Sequence, residues 1–185
     1  MKIMCNKTEI EGAIECKSPR NGDERGSFSR WYCSEQIGRH IECLPFRQVN
    51  NSINLCAGTV RGLHYQLGPQ REYKIVRCIR GRVLDIVVDL RQHSKTFLNK
   101  VAVELSEEDN NMLIVPPGCA HGFQVLEDDT QLLYCHTAEY LPEYESGVYI
   151  HDPILNIRWP LPITELSDRD KSLPHLSKNF TGLLL

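Results

Sequence analysis

A chain of 185 residues that is 41% hydrophobic and 24% charged has the length and balance of one folded globular unit, expected to span residues 1–185. Its formal net charge of −3 offers no global attraction to nucleic acid or to an anionic membrane. No run approaches the roughly 20 apolar residues needed to cross a bilayer, and the opening MKIMCNKTEIEGAIEC lacks a secretion signal's apolar core, so a cytoplasmic protein with neither nucleic-acid nor membrane partners is expected.

In chain order, the first clear strand pattern is GTVRGLHYQL. YKIVRCIRGRV follows, two β-branched stretches broken by Arg80-Gly81-Arg82, which reads as a turn. In VLDIVVDL, Leu84, Ile86, Val88 and Leu90 fall on one parity and Val83, Asp85, Val87 and Asp89 on the other. TFLNKVAVEL continues the strand pattern, and SEEDNNM has helical character over one short turn that Ser106 can cap, with Asp109 three residues on. MLIVPP, HGFQVL and TQLLYCH complete the series. Short strands at regular spacing, separated by Gly and Pro, predict a β-sandwich or barrel. The end of the chain, with Pro153, Pro160, Pro162 and Pro174, reads as a tail wound over that body.

Eight cysteines (Cys5, Cys16, Cys33, Cys43, Cys56, Cys78, Cys119 and Cys135) include no C-x-x-C pair, the spacing of zinc and dithiol redox sites. In the absence of a secretion signal they are read as reduced thiols acting as small hydrophobes.

Ionisable residues gather in DERGSF (Asp23 to Phe28), RGLHYQ (Arg61 to Gln66), YKIVRCIRG (Tyr73 to Gly81), PPGCAHGF through LLYCHTAEY (Pro116 to Tyr140), and LSDRD (Leu166 to Asp170). Arg61 and His64 are three apart, so a regular strand puts them on opposite faces unless a bend at Gly62 reunites them. His64 has the chemistry of a proton acceptor near neutral pH, although an isolated histidine is more often a structural hydrogen-bonder than a base. Lys74, in an apolar strand, is either an edge residue with its head in water or a fixed cation for a developing oxyanion. Pro116, Gly118 and His121 match the second metal-binding motif of cupins. The first motif requires H-x-H, and here the chain reads His64-Tyr65-Gln66. With that ligand missing, no metal is expected.

DERGSF, QVNNS, RGLHYQ, KIVRCIRG, VVDLR, PPGCAHGF, YCHTAEY, WP and LSDRD occur in the order seen in the dTDP-4-dehydrorhamnose 3,5-epimerases, and the chain resembles that family over about residues 10–172. The resemblance implies an all-β cupin jelly-roll, a homodimer, no metal or redox cofactor, and a place in deoxysugar biosynthesis for surface polysaccharides or glycosylated metabolites. It assigns His64 as base, Asp170 as its orienting carboxylate, Tyr134 as acid on the other sugar face, and Lys74 as the enolate's electrostatic partner. It further implies that Arg25 and Arg61 hold the diphosphate and that Gln48 and Asn50 contact the nucleoside. Phe28 and Tyr140 match aromatic positions near base and sugar, and His121 and Glu145 match further substrate contacts. Arg169 stands where a Lys is usual. One position departs: the family's D-E-R-G-x-F-x-E ends here in Arg30. A donor-only guanidinium cannot accept from thymine N3–H but can donate to cytosine, so Arg30 either selects a CDP-sugar or faces solvent beside an ordinary dTDP-sugar. Relatives that invert only C3 or only C5 share the same His and Tyr, and these alternatives stay open. A cupin that merely binds a nucleotide sugar would have no need of an opposed acid and base.

Overall fold

Both parities of Val83–Leu90 are buried, which requires a sheet covered on each face. The computed structural model describes residues 1–42, 45–68 and 72–185 and supplies both covers; Cys43 lies outside the described residues. Its strands are β1 (Met4–Lys7), β2 (Ile14–Lys17), β3 (Arg20–Asp23), β4 (Gly26–Ser29), β5 (Gln48–Asn54), β6 (Val60–Gln66), β7 (Lys74–Arg80), β8 (Arg82–Asp89), β9 (Lys100–Ser106), β10 (Asn111–Val115), β11 (Cys119–Val125), β12 (Thr130–His136) and β13 (Glu145–Gly147). Two one-turn helices, α1 (Ser34–Ile37) and α2 (Asp168–Lys171), accompany them. A six-stranded antiparallel sheet in the order β1-β2-β10-β7-β12-β5 faces a five-stranded one in the order β13-β6-β11-β8-β9, while β3 and β4 form a separate hairpin. This is the two-sheet all-β body expected from the strand pattern, in the jelly-roll form that the family resemblance implies.

Alternation along each strand divides the apolar residues among three layers. Val76, Cys78, Leu113 and Leu132 from the first sheet meet Val83, Val87, Leu105 and Phe123 from the second to form the interior. Ile75, Met112 and Ile114 on the outer face of the first sheet pack under Ile37 of α1. Leu63, Ile86, Val88 and Leu90 on the outer face of the second lie beneath the C-terminal tail, which contributes Leu155, Ile157, Trp159, Leu176 and Phe180. The segment after Ser106 closes a turn rather than a helix: Ser106 Oγ accepts from the Asp109 N–H (3.0 Å) and contacts Asp109 Oδ2 (3.1 Å). The expectation that all the cysteines are reduced is corrected at one pair. Cys5 and Cys16 are direct cross-strand partners on β1 and β2, with Cα atoms 4.1 Å apart, and form a disulfide. Strand pairing brings them together, which an eleven-residue spacing does not advertise. Cys78 and Cys119 are buried thiols, pushed by desolvation up to about 11 and about 12, well away from reactivity.

Where β8 ends, Asp89 ties the following loop. Its carboxylate accepts from the Arg91 guanidinium (2.8 Å through each of two nitrogens), the Arg91 N–H (3.0 Å), Ser94 Oγ (2.5 Å) and Thr96 Oγ1 (2.6 Å). Burial alone would raise this carboxyl, but the donors bring it down to about 2. A carboxylate depressed in the folded state stabilises above its unfolded value, near pH 4, and loses that contribution as pH falls towards about 2. Asp89→Asn is therefore expected to cost roughly 2–3 kcal/mol at neutral pH, with the gap from wild type narrowing below about pH 4; urea denaturation at neutral and acid pH measures both.

Candidate active site

The site begins with an irregularity in β6. His121 of β11 pairs with His64, but Phe123 pairs with Arg61, so Gly62 and Leu63 together oppose the single residue Gly122. This β-bulge absorbs one residue of alternation. Leu63 turns outward into the tail-covered layer, and Arg61 and His64 both face the interior cavity. Gly62 makes the bulge possible. Its φ of +111° lies outside the range comfortable for other residues. A Cβ there would meet Gly122 Cα and the His121 carbonyl oxygen at 2.7 Å.

The cavity has a volume of about 360 Å³ and is lined from both sheets. The five-stranded sheet and the C-terminal tail carry one wall. Ser167 Oγ accepts from the Asp170 N–H (3.0 Å), capping α2 and swinging Asp170 under β6. There Asp170 Oδ1 lies 2.6 Å from His64 Nε2, and Oδ2 accepts from the Gly62 N–H (3.2 Å). Burial would raise the Asp170 carboxyl, yet the bonds from His64, Gly62 and Ser167 hold it below the usual range. A buried anion thus fixes one nitrogen of His64 and leaves the ring to address the cavity. Deeper in, His121 Nε2 lies 2.9 Å from Asp85 Oδ2, with both side chains buried; desolvation raises Asp85 against the influence of His121.

The six-stranded sheet carries the opposite wall. Lys74, Tyr134 and His136 point inward from β7 and β12, and Asn50 of β5, directly opposite Tyr134 in register, lines the same wall. Burial, reinforced by the Asp85 charge, keeps the Tyr134 phenol well above its ordinary value, so it is a proton-bearing group at neutral pH. Its ring meets that of His121 edge-on at 6.2 Å between centroids. Arg61 Nε donates to Asn54 Oδ1 (2.8 Å) at the cavity's edge.

At the mouth, Arg169 and Glu145 are joined at 2.6 Å, and the Tyr140 hydroxyl shares the pair, raised chiefly by its hydrogen bond to Glu145. Gln66 holds this rim in place, donating to the Glu139 carbonyl and accepting from the Leu141 N–H, both at 2.9 Å. Gln48 donates to the Ala138 carbonyl (2.9 Å) and accepts from Asn50 Nδ2 (3.4 Å), beside the cavity rather than in its lining. The structure does not bring Arg25, Phe28 and Arg30 to this cavity. Arg25 pairs with Asp23 (2.6 Å), Phe28 is 67% exposed, and Arg30 is exposed after β4.

Sequence reasoning missed Glu72 and His136. Glu72 receives hydrogen bonds from Lys74 Nζ and from His136 Nδ1 (3.0 Å). Glu72 and Lys74 are two apart, hence on one side of an extended chain, which was the available signal. Each cavity histidine is paired with its own carboxylate, and among the described residues no three His, Cys, Asp or Glu are arranged to hold a metal ion.

Comparison with known proteins follows the same outline. Residues 7–178 match the family model of dTDP-4-dehydrorhamnose 3,5-epimerase. A dTDP-4-dehydrorhamnose 3,5-epimerase of Sinorhizobium fredii is 42% identical, over 84% of this chain and 80% of that protein. The crystal structure of the Bacillus anthracis dTDP-4-dehydrorhamnose 3,5-epimerase, with TDP and pyrophosphate bound, superposes with a TM-score of 0.90 at 34% identity, covering 94% of this chain and 99% of the other. A 3′-monoepimerase from Streptomyces bikiniensis in complex with dTDP-quinovose superposes at 0.85 with 35% identity, covering 91% of this chain and 85% of the other.

Proposed function

The chain belongs to the dTDP-4-dehydrorhamnose 3,5-epimerase family, and from that premise we propose that it inverts C3 and C5 of dTDP-4-dehydro-6-deoxy-D-glucose in rhamnose-type deoxysugar biosynthesis. It is a cofactor-independent isomerase, since the C4 ketone of the substrate is itself the electron sink. The observation that carries the reading is the opposition of two walls: His64 backed by Asp170 at 2.6 Å on one, and the protonated Tyr134 phenol on the other.

The ketone acidifies the hydrogens on its neighbouring carbons. His64 takes one of them, and Asp170 balances the imidazolium that results. The electrons left behind delocalise onto the C4 oxygen, where the Lys74 ammonium offsets the developing charge, an effect worth roughly 3–4 kcal/mol in comparable oxyanion sites. Tyr134 returns a proton from the opposite face, and the carbon is inverted. Arg61 suits the diphosphate through its forked donors, and Asn50 with Gln48 suits the nucleoside. Arg169, Glu145 and Tyr140 border the sugar's entry, with His121 against its far side.

The site is completed by a second copy of this chain, forming a homodimer. Support comes from the exposed hairpin bearing Arg25, Phe28 and Arg30, and from edge strand β5, where Val49 and Ile53 are 62% and 55% exposed. An unpaired edge with apolar side chains favours association. Arg25 and Phe28 of one copy then serve the other copy's diphosphate and base, with Arg30 turned away from the thymine.

Solvent deuterium incorporation followed by NMR tests the reading. With dTDP-4-keto-6-deoxyglucose, label is expected at both C3 and C5, with the CDP-linked sugar turned over at least tenfold more slowly, about the worth of one matched hydrogen bond. Label at one carbon only would make the enzyme a mono-epimerase, and preference for the CDP-sugar would make Arg30 a base-reading residue.

A further inference from the structure

Three histidine–carboxylate pairs surround the cavity; the reaction above uses His64–Asp170 and sets His121, paired with Asp85, against the sugar. The third is His136–Glu72. Register places His136 of β12 directly opposite Lys74 of β7, and Glu72, two residues earlier, falls on the same side. Its Oε2 accepts from Lys74 Nζ and its Oε1 from His136 Nδ1 (3.0 Å). The three side chains are 6%, 13% and 13% exposed for Glu72, Lys74 and His136. Lys74 and His136 line the cavity and Glu72 does not. Burial would neutralise the Glu72 carboxyl, but the bonds from His136 and Lys74 and their charges hold it below its ordinary value, as an anion.

A lysine head on four methylenes is a poor oxyanion donor unless something fixes it, because such a donor must be aimed before the charge forms. His136 also stacks against Tyr134, with ring centroids 5.9 Å apart and planes 21° from parallel. We infer that Glu72 is a positioning residue of the reaction, its carboxylate, itself held by His136, aiming the Lys74 ammonium at the enolate oxygen. This rests on the reading of Lys74 as the enolate's partner.

Backbone pairing of the segment is independent of the Glu72 side chain. The Tyr73 N–H donates to Thr137 Oγ1 (2.8 Å), and the Thr137 N–H donates to the Tyr73 carbonyl (3.1 Å). Glu72→Gln is isosteric, removes the charge and turns one accepting oxygen into an N–H₂ donor; because the backbone pairing does not use this side chain, it is expected to fold. The test is a double-mutant cycle with Lys74→Met, reading kcat, KM and melting temperature with dTDP-4-keto-6-deoxyglucose. Glu72→Gln is expected to lower kcat by roughly ten- to a hundredfold with KM changed less than about threefold, as for a group acting in the transition state. In the Lys74→Met background it is expected to change kcat by less than about threefold. Wild-type kcat in Glu72→Gln, or equal losses in both backgrounds, would overturn the inference while leaving the role of Lys74 intact. Wild-type kcat in Lys74→Met would overturn that role and the inference together. Should Glu72→Gln not fold, Glu72→Asp, which keeps the charge but withdraws it by one methylene, runs through the same cycle.

Discussion

Replacing His64 by Ala is expected to slow deuterium exchange at both C3 and C5 by roughly 10²–10⁴-fold, the usual worth of a positioned general base, while binding of dTDP stays within a few-fold of wild type. The two effects separate because His64 and Asp170 sit in the cavity wall, apart from the residues suited to the diphosphate and nucleoside. Asp170→Asn is expected to fall short of that loss or equal it. The amide can still occupy the space, but it no longer balances an imidazolium, and it offers its N–H₂ group where the ring requires an acceptor. Exchange persisting near the wild-type rate in His64→Ala would remove this residue from the mechanism, and loss at only one of the two carbons would require a second base.

Tyr134→Phe is expected to separate proton removal from inversion. The ring remains, with its edge against His121 and its face against His136, so the wall keeps its shape and only the hydroxyl is lost. His64 can still draw a proton and return a deuteron to the face it came from. Label therefore enters substrate of unchanged configuration, while epimerised product falls by roughly 10²-fold or more. Mass spectrometry follows the wash-in and NMR the configuration. Inverted product at the wild-type rate would assign the acid elsewhere.

The central strands were legible because their signal is local. Val83–Leu90 alternates, Arg80-Gly81-Arg82 turns, and both features stand in the structure where the pattern put them. The strands β1, β2 and β5 were not, since MCNK and IECK are only four residues long and QVNNSIN is mostly polar, so all three take their form from the neighbours they pair with. The site divides in the same way. His64 could be singled out by its chemistry, but its partner Asp170 is 106 residues away and was reached only through the family resemblance. Glu72 went unremarked because its meaning depends on β12 arriving alongside with His136, a long-range fact of sheet order. The Cys5–Cys16 link is hidden for the same reason.

The pair Gly62–Leu63 set against Gly122 has a consequence for which changes this site can absorb. A strand keeps time in twos, and here the beat slips once between Arg61 and His64. Residues before and after the slip are therefore out of phase, and with two residues between them Arg61 and His64 share a face only while the bulge holds. Straightening the bulge with every residue kept would carry His64 to the apolar outer layer, whereas loss of one residue between Arg61 and His64 would leave them two apart and still on one face. Point substitutions elsewhere in β6 change the quality of a contact, whereas straightening this bulge at unchanged length exchanges the inside of the enzyme for its outside.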